Sequence, residues 1–555
     1  MNNNNYKKIL NIIYLILLFI ICCIMIFFIN QKEGFHEDEI FSYGSSNYNK
    51  DNLFQPHGEK DYFRVTVENE ILYSKKPLKN FLYNIVHPNE FLIKINEEKK
   101  GEVPIWKTKE NAKEYLTIQS KDILNFFSIY INQSLDAHPP LFYFLVHIMS
   151  ALFFNNFSKY IIFIINILLF IGCCIFLRKI MYKLNKGYLS IPVLVLYGFS
   201  IGAISTVIFQ RMYMLLTFFV VIYTYMIVSY LKNDFNMDKK FANKLKLIII
   251  LGFLTQYFFC VYIICTFIIL EIIMYKKKNM NACKDFLRIH VISAIIGIAF
   301  YPASIYHIFF SYRGVPAISN NLGILDFFEL ICKSYSVNIF CGIIFLILLI
   351  SIAIYLLVKQ RKKIIALLLF SVLSYIIIIS KISPYLDMRY IMCILPIFSI
   401  IIWLAIDSIL LKLKNKNKII SILVLLIMTF SFYTIYNKKP LYLYIGYSDN
   451  ISIAKENSNL SFIYVEDNCF NHIQSMPEFM IYNKSLILDI NKNELKFLKF
   501  NKDLQEEECF IVSIKKYLDV KNIVNEIMNL TNSKYNELLL SGESQTQNVI
   551  YKFYK

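Results

Sequence analysis

Apolar runs long enough to cross a bilayer recur along this chain, at residues 8–29, 159–180, 189–208, 211–231, 247–275, 288–310, 338–358, 364–381, 389–411 and 419–437. A helix needs about 20 apolar residues to span the hydrocarbon layer, and a water-soluble fold cannot hide so many such runs. The 247–275 run is too long for one span and carries a polar pair, Gln256-Tyr257, so it reads as two spans and the total as about eleven. The expectation is therefore an α-helical polytopic membrane protein. Composition agrees, with 56% hydrophobic and 16% aromatic residues. The formal charge of +18 does not point to nucleic acid. The basic residues stand in short runs between apolar segments, as they do in cytoplasmic membrane loops. Lys7 and Lys8 precede the first run as in a signal peptide, but no small-residue cleavage site follows, so that run reads as a retained anchor.

Topology turns on one ambiguous stretch, Leu141 to Phe154. With the amino terminus inside and this stretch not crossing, the loops bearing Arg178 to Lys186, Lys239 to Lys246, Lys276 to Arg288, Lys359 to Lys363 and Lys412 to Lys418 all fall inside. That is the positive-inside pattern, and a crossing would invert every one of them. Leu141 to Phe154 is therefore expected to be an interfacial helix opening at Pro139-Pro140. A second surface helix is expected within Ala112 to Ile131, whose Tyr115, Leu116, Ile123, Phe126 and Phe127 recur at helical spacing. Residues 1–437 then form the membrane domain, with 30–158 a large outer loop. The same topology puts the amino terminus in the cytoplasm.

Residues 438–555 change character and hold no spanning run. Ser461 to Val465, Ser485 to Ile490 and Phe510 to Ile514 read as short buried strands, and Met476 to Asn483 and Val520 to Leu530 as helices. Alternation of this kind predicts a small extracytoplasmic α/β domain. Ten of the twelve cysteines lie in or beside apolar segments and read as small hydrophobes. Only Cys469 and Cys509 lie in a polar region, where a disulfide between them is one option.

Two polar clusters return to the outer side. One is His36-Glu37-Asp38-Glu39, just past the first span, and the other is Asp136-Ala137-His138-Pro139-Pro140-Leu141. Three consecutive carboxylates at a membrane boundary are costly to desolvate, so they are either a solvated turn or a site. Arg211-Met212-Tyr213, Arg313, and Tyr385 through Arg389-Tyr390 reach the same side. In this arrangement the chain resembles membrane glycosyltransferases of the GT-C class, most of all glycosyltransferase family 39, which includes protein O-mannosyltransferases and lipid A aminoarabinose transferase. The likeness rests on Asp38-Glu39 early in the first outer loop, on the HPPL-type motif at His138, and on Arg211-Met212-Tyr213 opening a span.

The resemblance implies a polyprenyl-phosphate sugar donor and inverting transfer to a hydroxyl acceptor at the outer face, and the high Asn, Lys and Ile content points to a bacterial plasma membrane. It puts the base at Asp38, with Glu39 supporting it or binding sugar hydroxyls. Glu37 adds a third carboxylate to the family pattern and leaves the base open by a residue or two. Arg211 and Arg389, with Arg313 third, are candidates for the phosphate, or equally for headgroup anchors. Tyr213, Tyr385 and Tyr390 fit substrate contacts or an interfacial aromatic belt. His36, Asp136 and His138 fit substrate binding, or helix capping in the case of Asp136 and His138. His36 with the three carboxylates also offers ligands to a divalent cation, but the family does not generally use metal, so no cofactor is expected. The competing function is a lipid or sugar transporter. Against it, the spans carry almost no charge at their centres and show no internal repeat.

Overall fold

The computed structural model describes residues 3–47, 54, 75–76, 79–80, 83, 103–309, 323–334, 363–383, 386–467, 471–544 and 547–555. The expected span at 338–358, and Arg313, Tyr385 and Cys469, lie outside them. The chain divides into two compact units. One holds Met1–Phe28, Asp136–Phe142 and Ile162–Leu441; the other holds Ile29–Leu135, Tyr143–Ile161 and Tyr442–Lys555.

The first unit is a helical bundle. Among the described residues of the chain, seven helices are long and apolar enough to cross a membrane: Lys8–Gln31, Lys159–Lys183, Tyr213–Lys232, Phe258–Lys276, Lys363–Ile382, Met392–Ile409 and Lys416–Asn437. Where a single span was expected at 189–208, the pair Gly187–Gly198 and Ile201–Ile208 is bent by 65°, and it makes an eighth if the two halves are one span. Ser200 makes the break. Its hydroxyl accepts the Ala203 amide at 3.1 Å and donates to the Tyr197 carbonyl at 2.6 Å, so it ends one helix and caps the next. Asn166 then donates to the carbonyls of Val207 and Phe209 at 3.0 and 2.9 Å. In an apolar bundle those helix-end carbonyls have no water to turn to, so a buried amide must serve them.

The predicted split of the 247–275 run is present, with helices Lys239–Phe253 and Phe258–Lys276 flanking Gln256-Tyr257. Lys239–Phe253 has only 15 residues, and Met280–Phe300 carries Lys284, Asp285 and Arg288 in its first half. The expected total of eleven crossings rests on these two helices and on the 338–358 run.

The second unit is built on a six-stranded sheet of order β1-β3-β2-β4-β6-β5. The strands are β1 (Lys107–Thr108), β2 (Ser461–Glu466), β3 (Lys484–Asp489), β4 (Cys509–Ile514), β5 (Tyr535–Leu540) and β6 (Val549–Tyr554). β3, β2 and β4 are parallel, and the β5–β6 hairpin closes one edge antiparallel. The other edge is β1, contributed from the long loop after the first span. The three parallel strands are apolar on both faces, as sheet covered from both sides must be. Ile463, Val465, Leu486, Leu488, Phe510 and Val512 are fully buried on one face with Ile527 of the Val520–Thr531 helix. The Met476 helix is shorter than expected, ending at Phe479.

The expected surface helix within Ala112 to Ile131 is instead two, Lys109–Leu116 and Phe126–Leu135, separated by a turn at Ser120–Asp122. Thr108 caps the first reciprocally with Asn111, and the second ends directly before Asp136. Leu141–Leu152 is a single helix of 12 residues, or about 18 Å, too short to cross the hydrocarbon layer.

Candidate active site

Asp38 stands in the first turn of the helix Glu37–Gly44, in the second unit. His36 caps that helix: its Nδ1 accepts the Asp38 amide at 3.0 Å, and Glu39 Oε2 accepts the His36 amide at 2.7 Å. Three acidic residues in a first turn suit the positive end of the helix dipole. The helix rests between Lys109–Leu116 and the turn Asn471–Ser475. Gly44 lets it do so, because a Cβ there would meet the Tyr115 ring at 2.2 Å.

Successive helix residues point about 100° apart, so the three carboxylates leave the axis in different directions. Glu39 Oε2 pairs with Lys32 Nζ at 2.8 Å, both side chains fully buried. Lys32 also donates to the Tyr442 carbonyl and lies 5.3 Å from the Tyr444 ring centre. Burial pulls the Lys32 ammonium below its ordinary value, and the Glu39 charge opposes that. Glu37 acts electrostatically on Lys515, which follows the end of β4. Burial likewise lowers Lys515, against the pull of Glu478, Glu466, Glu37 and Asp467. Asp38 leaves between these two lysine-facing neighbours. Its Oδ2 is 3.7 Å from His36 Nδ1, beyond hydrogen-bond reach.

Around Lys515 the ends of the parallel strands gather further ionisable groups. Glu466 holds His472 through Nδ1 at 3.0 Å, and the His472 Nε2 faces the Phe54 carbonyl at 3.0 Å. Tyr447 donates to Glu478 at 2.9 Å, and burial pushes the Glu478 carboxyl up to about 6. The Tyr447 helix starts at Gly446, whose φ of +95° favours glycine and whose amide donates to Glu33 at 2.6 Å.

The other expected residues belong to the first unit. Asp136 bonds His138 Nδ1 at 2.8 Å. The His138 carbonyl accepts from Tyr301 at 3.3 Å, and the Leu141 amide donates to the Leu254 carbonyl at 3.0 Å. These bonds fasten the His138-Pro139-Pro140-Leu141 motif to the turn before Phe258–Lys276 and to the end of Met280–Phe300. Tyr257, from that turn, meets His307 Nδ1 at 2.8 Å. Phe258 in turn packs edge-on against Tyr390, ring centres 5.2 Å apart. Arg389 sits in the 3-10 turn Met388–Tyr390, where Asp387 accepts its amide at 2.9 Å and faces its Nε at 3.4 Å. Arg211 lies between the Ile201–Ile208 and Tyr213–Lys232 helices, both of which pack against Met392–Ile394. Arg211 and Arg389 are 3% and 5% exposed, unlike headgroup anchors that reach into water. Tyr213, stacked on Phe209, and Tyr390 are also buried, which removes them from a lipid-facing aromatic belt.

Helix connectivity puts Asp136, His138, Arg211, Tyr257, Tyr301 and Arg389 at one end of the bundle. The basic turns lie at the other end. There Lys186 and Lys416 pair with buried Asp407 at 3.0 and 2.6 Å, and Lys277 pairs with Asp234 at 3.4 Å. Among the described residues, no three His, Cys, Asp or Glu side chains converge as a metal cage. Sequence reasoning missed Lys32, which reads as a membrane-flanking lysine, and the Tyr257–His307 pair, whose members are 50 residues apart.

No protein-family model and no curated protein sequence matches this chain. Solved structures do. Its architecture combines apolar spanning helices, a helix-bearing loop after the first span and a carboxyl-terminal sheet, and solved structures share that fold. The particular structure it resembles is ArnT from Cupriavidus metallidurans, solved bound to undecaprenyl phosphate. The two share 8% identity over 99% of this chain and 98% of that one, with a TM-score of 0.51. ArnT from the same organism in the apo state matches at 9% identity over 75% and 87% of the chains, with a TM-score of 0.46. The likeness is one of fold.

Proposed function

We propose that this chain is a membrane glycosyltransferase that moves a sugar from a polyprenyl phosphate to an acceptor hydroxyl by inverting displacement. The observation that carries the reading is the burial of Arg211 and Arg389 at the end of the bundle that holds the Asp136–His138 pair. Burial holds both guanidinium groups in place, and their planar fork suits phosphate. The full-length likeness to a fold solved with undecaprenyl phosphate supports a polyprenyl carrier.

In the reaction the acceptor oxygen bonds to the anomeric carbon while the bond from that carbon to the phosphate oxygen breaks. Polyprenyl phosphate leaves with the electron pair, and Asp38 takes the acceptor proton. Arg211 and Arg389 neutralise the departing phosphate, with Asp387 orienting Arg389 through its Nε. His138, oriented by Asp136, and His36, Tyr213 and Tyr390 bind substrate. Glu39 is a positioning residue that fixes the cap of the Asp38 helix. The reading invokes no metal or cofactor. The gathering of basic turns at the opposite end of the bundle favours a cytoplasmic amino terminus and a site on the outer face of the plasma membrane. Residues 438–555 are then an extracytoplasmic domain, and the acceptor is an envelope glycan, glycolipid or protein.

The test is donor use by Arg211→Ala and Arg389→Ala. Each is expected to lower kcat/KM for a labelled polyprenyl-phosphate sugar by roughly 10- to 100-fold, from the loss of a charged hydrogen bond of about 1.5–3 kcal/mol. The variants should still elute as folded protein. Normal turnover by both removes the phosphate assignment.

A further inference from the structure

A groove of about 820 Å³ runs along the first unit between the amino-terminal helix and Lys159–Lys183, far from the Asp136 end. Its lining changes in character along its length. Leu18 and Ile171 lie at one end, and Arg178, Tyr182 and Lys183 at the other, about 18 Å along the helix from Ile171 to Lys183. Among the described residues, no acidic one lines it.

Arg178 is held in place. Its guanidinium lies 4.8 Å from the ring centre of Tyr14 and 5.4 Å from that of Tyr182, and it donates to the Asn11 side chain. Tyr14 is itself fixed, since its buried hydroxyl donates to the Cys174 carbonyl at 2.6 Å. An arginine stacked between two rings has already lost the freedom that an ordinary snorkelling side chain would give up on binding.

We propose that this groove binds an anionic phospholipid of the leaflet at the basic end. Its phosphate sits on Arg178 and Lys183, and an acyl chain lies along Leu18 and Ile171. A cationic end joined to an apolar trough, with no carboxylate to compete, is complementary to one molecule bearing both a phosphate and a hydrocarbon chain. The site is separate from the proposed donor site and does not depend on that assignment.

The experiment is native mass spectrometry of the purified full chain in detergent. It is titrated with phosphatidylglycerol, with phosphatidylcholine, and with inorganic phosphate as competitor. Wild type is expected to hold phosphatidylglycerol at least tenfold more tightly than phosphatidylcholine. The double variant Arg178→Gln/Lys183→Gln is expected to lose about tenfold in that affinity, and Arg178→Lys less. Arg288→Gln, an exposed cation outside the groove, should bind as wild type does. Equal binding of the two lipids, or an unchanged double variant, overturns the proposal, as does an equal loss in Arg288→Gln. Full displacement of the lipid by millimolar phosphate overturns the lipid source and makes the ligand the free anion. If the double variant does not elute as folded protein, exposed Lys183→Gln alone carries the test, with a loss of several-fold expected and none contradicting it.

Discussion

Asp38→Asn is expected to lower sugar transfer by roughly 100- to 10,000-fold, the usual contribution of a positioned general base, while leaving the folded protein intact. The substitution keeps the side chain's shape and removes only its ability to take a proton. The resemblance puts the base at Asp38 rather than at its neighbours. Glu39 is committed to Lys32 and the cap, and Glu37 acts on Lys515. Glu37→Gln should therefore be much milder than Asp38→Asn. Transfer rates in membranes from a labelled donor decide the matter. Full activity in Asp38→Asn with loss in Glu37→Gln would move the base one residue back.

Removing the Glu39 carboxylate is the second large effect. Lys32 and Glu39 are both fully buried, and a buried ammonium stripped of its partner costs about 3–5 kcal/mol. Glu39→Ala also deprives the His36 amide of its acceptor, so the helix carrying Asp38 loses one of the two bonds of its cap. Glu39→Gln keeps an oxygen for that amide and should cost less. Lys32→Met combined with Glu39→Gln should recover much of the loss, because no uncompensated charge remains. Unfolding midpoints in detergent read these differences. A Glu39→Ala protein within about 0.5 kcal/mol of wild type, the range of an ordinary surface change, would show that the pair contributes nothing.

Where physics is local, the sequence was readable. The spanning runs, the break at Gln256-Tyr257, and β2, β3 and β4 all announce themselves through apolar pattern and length. What the sequence hid is non-local. β1 is two residues long and pairs with β3 more than 370 positions away, so no local signal marks it. β5 and β6 interleave Asn536, Glu537 and Lys552 with their apolar residues and are stabilised chiefly by one another and by β4. The bend at Ser200 escaped because a serine in an apolar run looks harmless until its hydroxyl is seen capping a new helix.

The candidate site divides the same way. Asp38, Asp136, His138 and Arg211 stand out in the sequence as candidates because charge beside a membrane span is costly and the motifs are short. The roles of Lys32, Glu37 and Glu39 could not, since they depend on which buried cation each carboxylate meets. Glu39, expected to aid the base or bind sugar, has an oxygen already taken by Lys32 and the cap.

The most direct test of the central claim uses sealed proteoliposomes loaded with polyprenyl phosphate bearing a radiolabelled sugar, and a hydroxyl acceptor outside. Two quantities are followed together: label on the lipid and free polyprenyl phosphate. The account predicts that label leaves the lipid in step with the release of polyprenyl phosphate and appears on the acceptor with inverted anomeric configuration. Label that stays on the lipid but moves from one leaflet to the other would contradict it and identify a transporter.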